Sequence, residues 1–177
     1  MPRLFTALEI PAPLREELAL LRGGLPGARW IDPENYHITL SFIGDIDNAQ
    51  GHEIASLLDG VSRPSFELRL DGLSSFGGDK PRALIATVVP TPALTDLQAE
   101  HERLLKRLGV RADSRKFTPH VTLARLRNSP SRQVAEYLAV RPYRSAPFRV
   151  ARFVLYSSRD SVGGGPYVVE AAYPLAA

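Results

Sequence analysis

The segment His37-Ile38-Thr39-Leu40 decides the fold, because it recurs 83 residues later as His120-Val121-Thr122-Leu123. Both copies alternate polar and apolar residues with the period of two that marks a half-buried strand. Working outward, the same offset carries Ser74-Ser75 onto Ser157-Ser158 and Leu84-Ile85 onto Tyr167-Val168. Nearer the start the offset is 79, and it carries Ala7, Pro11, Pro13 and Leu18 onto Ala86, Pro90, Pro92 and Leu97. A period this long is duplication into two lobes, not a stack of short repeats. Each unit reads strand, helix, His-x-Thr strand, helix, strand, with the next unit's first strand closing a hairpin. This predicts an α+β chain. Residues 1–177 form one domain of two pseudo-symmetric, interleaved lobes, each an antiparallel sheet with outer helices, and the site lies in the cleft between them.

Local patterns fill in the elements. Residues 4–10 are a short apolar strand ended by Pro11. Leu14, Leu18, Leu21 and Leu25 recur at helical spacing, with Gly23-Gly24 or Gly27 as the stop. Residues 36–43 alternate as a strand, and Ile54, Leu57, Leu58 and Val61 mark a second helix. Residues 66–70 alternate strictly, which predicts a hairpin with 83–89 across the Gly77-Gly78-Asp79-Lys80-Pro81 loop. A third helix is predicted over 93–108, a strand over 121–126 and a short helix over 133–138. The chain then closes with a hairpin of 148–156 and 167–173 around Gly163-Gly164-Gly165. The last strand is expected to hold in the second lobe the place that 83–89 holds in the first.

Composition narrows the class of function. With 177 residues, 44% hydrophobic and 23% charged, the chain is globular in type. No run approaches the roughly 20 apolar residues of a membrane span. The opening Met1-Pro2-Arg3-Leu4-Phe5 lacks a secretory apolar region and cleavage site, which predicts a soluble cytoplasmic protein. Zero cysteines exclude disulfides, thiolate nucleophiles and cysteine zinc sites. The net charge of +3 is unevenly spread. Residues 1–100 carry 8 Lys and Arg against 14 Asp and Glu, whereas 101–177 carry 14 against 5. Of the 22 basic residues 19 are Arg, whose planar fork suits phosphate oxygens, although a GC-rich genome would raise Arg equally. A basic second half favours an anionic partner. Arg111, Arg115, Lys116, Arg125 and Arg127 gather around His120 in sequence.

The repeated strand carries the chemistry. His37 and Thr39 share one strand face, as do His120 and Thr122, while Ile38, Leu40, Val121 and Leu123 turn to the other. Two imidazoles brought together by pseudo-twofold symmetry suit phosphodiester cleavage. In-line displacement needs a base on the entering oxygen and an acid on the leaving one, and histidine serves in either role near neutral pH. The threonine hydroxyls can hold the non-bridging oxygens, where charge gathers. A lone strand histidine is more often structural, but packing gives no reason to place His-x-Thr-Leu twice. A metal is the competing reading of a histidine pair. Zinc takes three or four ligands at close quarters, and no carboxylate or third histidine stands at ligand spacing beside either motif.

With its flanks, the chain resembles the two-histidine (2H) phosphoesterases, above all their RNA 2',3'-cyclic phosphodiesterase branch, formerly called 2'-5' RNA ligases. The likeness lies in Arg3-Leu4-Phe5-Thr6-Ala7-Leu8, in Arg29-Trp30-Ile31-Asp32-Pro33-Glu34-Asn35-Tyr36-His37-Ile38-Thr39-Leu40-Ser41-Phe42-Ile43-Gly44, and in Phe117-Thr118-Pro119-His120-Val121-Thr122-Leu123-Ala124-Arg125. The resemblance implies hydrolysis of an RNA terminal 2',3'-cyclic phosphate to a 2'-phosphate, without metal or other cofactor; a monomer is expected. It also implies His37 as proton donor and His120 as proton acceptor, roles that the symmetry of the residues leaves open. Thr39 and Thr122 carry over as phosphate-binding residues. Alternation places Arg125 with Leu123, off the cleft, yet the resemblance makes it a candidate phosphate or RNA contact. Phe42 is a candidate base-stacking residue and equally a core one.

Other residues fall outside this chemistry. His101 lies on the apolar stripe between Leu97 and Leu104, which marks a packed helix histidine, and His52 lies off its helix's stripe. The glycine triplet lacks the Lys and Ser or Thr of a phosphate-binding loop. Trp30 fits either the RNA path or the core. Two further readings stay open: joining of RNA ends through a 2'-5' bond, which is the reverse reaction, and binding of RNA ends without catalysis. The latter would need only the basic groups.

Overall fold

The computed structural model describes residues 3–110, 116–158 and 165–177. In chain order the elements are β1 (Arg3–Glu9), α1 (Ala12–Ala19), β2 (Ala28–Trp30), a 3-10 turn (Pro33–Asn35), β3 (His37–Asp45) and α2 (Asn48–Leu58). There follow β4 (Phe66–Leu68), β5 (Leu70–Phe76), β6 (Ala83–Val88) and α3 (Pro92–Arg107). The last are β7 (His120–Leu126), α4 (Ser131–Ala139), β8 (Phe148–Val150), β9 (Arg152–Ser157) and β10 (Val168–Pro174). No helix among the described residues is long and apolar enough to cross a membrane.

Eight strands make one antiparallel sheet in the order β10-β9-β1-β3-β7-β6-β5, with β2 beside β7. Two halves meet where β3 and β7 share one register pair, Ile38 opposite Val121. Both side chains are fully buried, and each contributes about 1.5–3 kcal/mol by leaving water. The helices cover one face. Here Thr6 meets His101 of α3, Ser41 donates to Glu102 of α3 at 2.8 Å, and Trp30 packs 6.2 Å from Tyr137 of α4. Trp30 is therefore a core contact. The opposite face is open and carries both histidine strands.

Four expectations need correction. The first helix stops at Ala19, not at the glycines. Tight bonds from Leu20 to Glu17, Leu21 to Leu18 and Arg22 to Ala19 end it, and Leu25 reaches the core from an irregular segment. Residues 66–70 do not pair with 83–89. The chain breaks at Arg69, whose carbonyl accepts from Val89, so β4 pairs with β8 and β5 becomes the hairpin partner of β6. Residues 148–156 likewise divide at Ala151, whose carbonyl accepts from Leu175. Lastly, β10 does not take the place equivalent to β6. That place, between the hairpin strand and the histidine strand, belongs to β1, and β10 lies outside it at the sheet edge. The repeat offset of 79 matches Ala7 of β1 to Ala86 of β6; closing the sheet puts the N-terminal strand where the pattern's last strand was expected. Gly163 and Gly164 lie outside the described residues.

His101 has the packed role its helical stripe predicted. It is fully buried, its Nδ1 lies 2.9 Å from Thr6 Oγ1, and its ring meets Phe153 at 4.5 Å. Burial lowers it from 6.5 to about 4, with Arg63 adding to the effect. Because the folded value lies below the unfolded one, the unfolded chain binds the extra proton first as pH falls. Stability should therefore hold above pH 6.5 and drop between 6.5 and 4, by roughly 3 kcal/mol for a shift of this size. Urea unfolding of the protein and of His101→Leu across that range checks this. The variant should lose much of the slope, and an unchanged slope would refute the assignment.

Candidate active site

The site grows from a strand irregularity that both lobes share. In β3, Thr39 lies opposite Ala7 but Ser41 lies opposite Thr6, so Leu40 is an extra residue, a β-bulge. In β7, Thr122 lies opposite Ile85 but Ala124 lies opposite Leu84, so Leu123 is bulged in the same way. The first six residues of the two strands repeat one burial pattern, with two successive buried residues at the bulge. Each bulge reverses the alternation beyond it. Ser41 turns to the helices and Phe42 comes round to the open face; Ala124 turns in and Arg125 comes round. Alternation alone placed Arg125 off the cleft, and the bulge corrects that. Arg125 lies opposite Ala83, and Ala83 opposite Phe76, whose ring meets His120 edge-on at 4.8 Å. These residues share the histidine face.

At the β3–β7 junction the register brings four predicted residues together. One step either side of Ile38–Val121 sets His37 across from Thr122 and Thr39 across from His120. Directly opposite residues share a face and stand about 5 Å apart. Two residues along a strand cover about 7 Å. The imidazoles thus occupy diagonal corners of a small rectangle and the threonines the other two. A phosphorus placed centrally would have a ring on each side.

Both rings are held in one tautomer by the same device. His37 Nδ1 lies 2.9 Å from the Asn35 carbonyl, and His120 Nδ1 lies 2.7 Å from that of Thr118. A carbonyl only accepts, so each Nδ1 carries a proton and each Nε2 is left for chemistry. The two then differ. His37 Nε2 lies 3.0 Å from Thr39 Oγ1, whereas His120 Nε2 has no hydrogen-bond partner among the described residues. Burial lowers His37 from 6.5 to about 4 against the raising effect of the Asn35 bond, and the charges of His120 and Arg125 lower it further. Burial also lowers His120, opposed by its bond to Thr118. Cationic neighbours and dry surroundings together make the site a receptor for negative charge.

Sequence reasoning missed the aromatic wall. Phe5, Tyr156 and Tyr167 surround His37 with ring centroids at 5.2, 5.9 and 5.0 Å. Phe42 joins through Phe5 at 5.7 Å and is 58% exposed. These rings come from β1, β3, β9 and the segment before β10, so no single stretch displays them. Gly165, at φ +105°, packs its backbone against the Asn35 side chain, where a Cβ would collide. The glycine thus supports the residue whose carbonyl orients His37. Of the acidic residues, Glu9 stands opposite His37 but is held by Arg152 at 2.6 and 2.9 Å. Arg111 and Arg115 lie outside the described residues, and His52 is exposed on α2.

Known proteins share the sequence pattern and the fold of this chain. The family described as "2'-5' RNA ligase superfamily" matches residues 10–161. The RNA 2',3'-cyclic phosphodiesterase of Aquifex aeolicus is 36% identical over 154 residues, covering 82% of this chain and 81% of that protein. The protein of the same name from Geobacillus stearothermophilus is 31% identical over 97% of the chain, and the chain spans only 56% of its length. The crystal structure of E. coli LigT complexed with 3'-AMP superposes with a TM-score of 0.79 at 25% identity, covering 99% of each chain.

Proposed function

The chain belongs to the 2'-5' RNA ligase superfamily, and from that premise we propose that it hydrolyses 2',3'-cyclic phosphate ends of RNA to 2'-phosphates, using His37 and His120. The observation that carries the reading is the rectangle of His37, Thr39, His120 and Thr122 on the open sheet face. The names of the Aquifex and Geobacillus relatives support the substrate.

The step follows from the tautomers. His120, whose Nε2 has no hydrogen-bond partner among the described residues, takes a proton from water as the water oxygen attacks phosphorus. The bond from phosphorus to O3' breaks, and His37 gives its Nε2 proton to that oxygen, leaving a 2'-phosphate and a free 3'-hydroxyl. Thr39, 3.0 Å from His37 Nε2, accepts from the protonated ring and keeps the proton on the correct nitrogen until the leaving oxygen arrives. Thr122 meets a non-bridging oxygen, where charge develops, and Arg125, two pairing steps further along β7, contacts the RNA backbone. Phe42 and the neighbouring rings stack the terminal base. Exchange with solvent then moves a proton off His120 and back to His37. The single sheet running through both halves supports one domain over 1–177.

Incubation of a cyclic-phosphate-ended oligonucleotide with the protein and excess EDTA tests the proposal. The expected product is a 2'-phosphate end, formed at the rate seen without chelator. Activity restored only by added metal would overturn the two-histidine mechanism. No turnover under either condition would leave end-binding as the function, and ligated products in the presence of 5'-hydroxyl RNA would reveal the reverse reaction.

A further inference from the structure

The two halves of the site are related in backbone but opposite in chemistry. Across β3, β1, β9 and β10 runs the row Phe42, Phe5, Tyr156, Val169, all on the open face. The equivalent row on the other side is Arg125, Ala83, Phe76, and beside Arg125 on β2 stands Arg29. Arg29 and Arg125 are directly opposite in an antiparallel ladder, so their side chains leave the same face side by side. Trp30, the next residue, points to α4 on the covered face, which fixes Arg29 on the open one. Both arginines are exposed, and among the described residues neither makes an ion pair or a side-chain hydrogen bond.

Like charges facing each other across a ladder destabilise it unless an anion lies between them. Arg3 pairs with Asp45, Arg144 with Asp71 and Arg152 with Glu9; what sets Arg29 and Arg125 apart is that two unpaired guanidinium groups face each other on one ladder. The Arg29–Arg125 pair is left for a ligand. From Thr122 to Arg125 the bulge reduces three residues to two pairing steps, a distance of about 7 Å along the strand. That is about one nucleotide's reach from the phosphate held at the histidines.

We propose that Arg29 and Arg125 together bind a second phosphate, the phosphodiester on the 5' side of the terminal nucleotide, and so make the protein prefer a polynucleotide end to a free cyclic mononucleotide. This rests on the cyclic-phosphate reading of the histidine site. Arg29 gives the pair its second guanidinium, and two forks can share the two non-bridging oxygens of one diester. The aromatic half takes the terminal base, so the strand enters over β2 and β7 and ends at His37.

The test compares a dinucleotide ending in a 2',3'-cyclic phosphate with the corresponding cyclic mononucleotide bearing a 5'-hydroxyl. In the unaltered protein kcat/KM should favour the dinucleotide. In Arg29→Gln the ratio of the two kcat/KM values should fall at least tenfold, through KM and not kcat, with partial recovery in Arg29→Lys. The melting temperature without ligand should not fall, since a like-charge contact is relieved. Arg132→Gln, on the far surface of α4, is the control and should leave the ratio alone. A ratio unchanged in Arg29→Gln while both substrates turn over would overturn the proposal. Binding of the 2'-phosphate products, measured by calorimetry, separates this failure from that of the cyclic-phosphate reading. If neither substrate is hydrolysed, yet Arg29→Gln weakens the dinucleotide product tenfold more than 2'-AMP, the second-phosphate site stands and the hydrolytic reading falls. If no such difference appears, the second-phosphate site falls too.

Discussion

Alanine at His37 or at His120 is expected to lower kcat/KM for a 2',3'-cyclic nucleotide by about 10²–10⁴-fold each, the range for loss of a positioned acid or base. The double variant should be little worse than either single one, because the rings act on one in-line displacement and their losses do not add. His101→Ala serves as the control. Its ring is buried on the helix side against Thr6 and Phe153, so it can cost stability while leaving the chemistry of the folded fraction intact. The near-symmetry of the two motifs makes role assignment a separate matter, which leaving-group chemistry can decide. A p-nitrophenyl phosphodiester releases an anion that needs no proton. With that substrate His37→Ala should recover most of its loss, and His120→Ala should not. Recovery in the reverse order would exchange the two roles; a single variant keeping most of its activity on the cyclic substrate would end the two-histidine mechanism altogether.

How much of this could be read beforehand follows the range of the interactions. The histidine strands were legible because period-two alternation and an internal repeat are local signals, and the buried partners Ile38 and Val121 lie where the alternation puts them. The bulges at Leu40 and Leu123 were not. Leu-Ser-Phe and Leu-Ala-Arg carry no glycine or other mark of a bulge, and only the register against β1 and β6 reveals one. That single extra residue decides whether Phe42 and Arg125 face the site or the core. The alternating run at residues 66–70 misled for a related reason. Leu68 and Leu70 are both buried, yet they belong to different sheets, and alternation tells which residues face inward without telling which strand pairs with which. The aromatic wall and the Arg29–Arg125 pair were beyond sequence reading because each joins residues far apart in the chain.

Raising the pH above neutrality is expected to cut kcat/KM tenfold per unit. The active form carries one proton on the histidine pair, held by the acid. Burial lowers both rings from 6.5, His37 to about 4. The free enzyme therefore gives up the last proton of the pair below pH 6.5. Above that point the singly protonated form falls tenfold with each unit, so a rise from pH 7 to 9 costs on the order of a hundredfold. Between the two lowered values the profile should be flat, and below pH 4 it should fall again as the base is protonated. The proton on the less basic ring, His37, makes the working form a minority of that plateau, which the bound substrate relieves. A phosphodiester anion set between the imidazoles favours the imidazolium and offsets the charge that Arg125 adds beside His37. The alkaline limb of kcat should accordingly lie above that of kcat/KM by a unit or more, roughly the effect of one nearby opposite charge. Measuring both parameters from pH 4 to 9 checks the two limbs. A kcat/KM that stays level to pH 8 would mean that the burial of these rings does not set their protonation, and that the acid must be sought outside the pair.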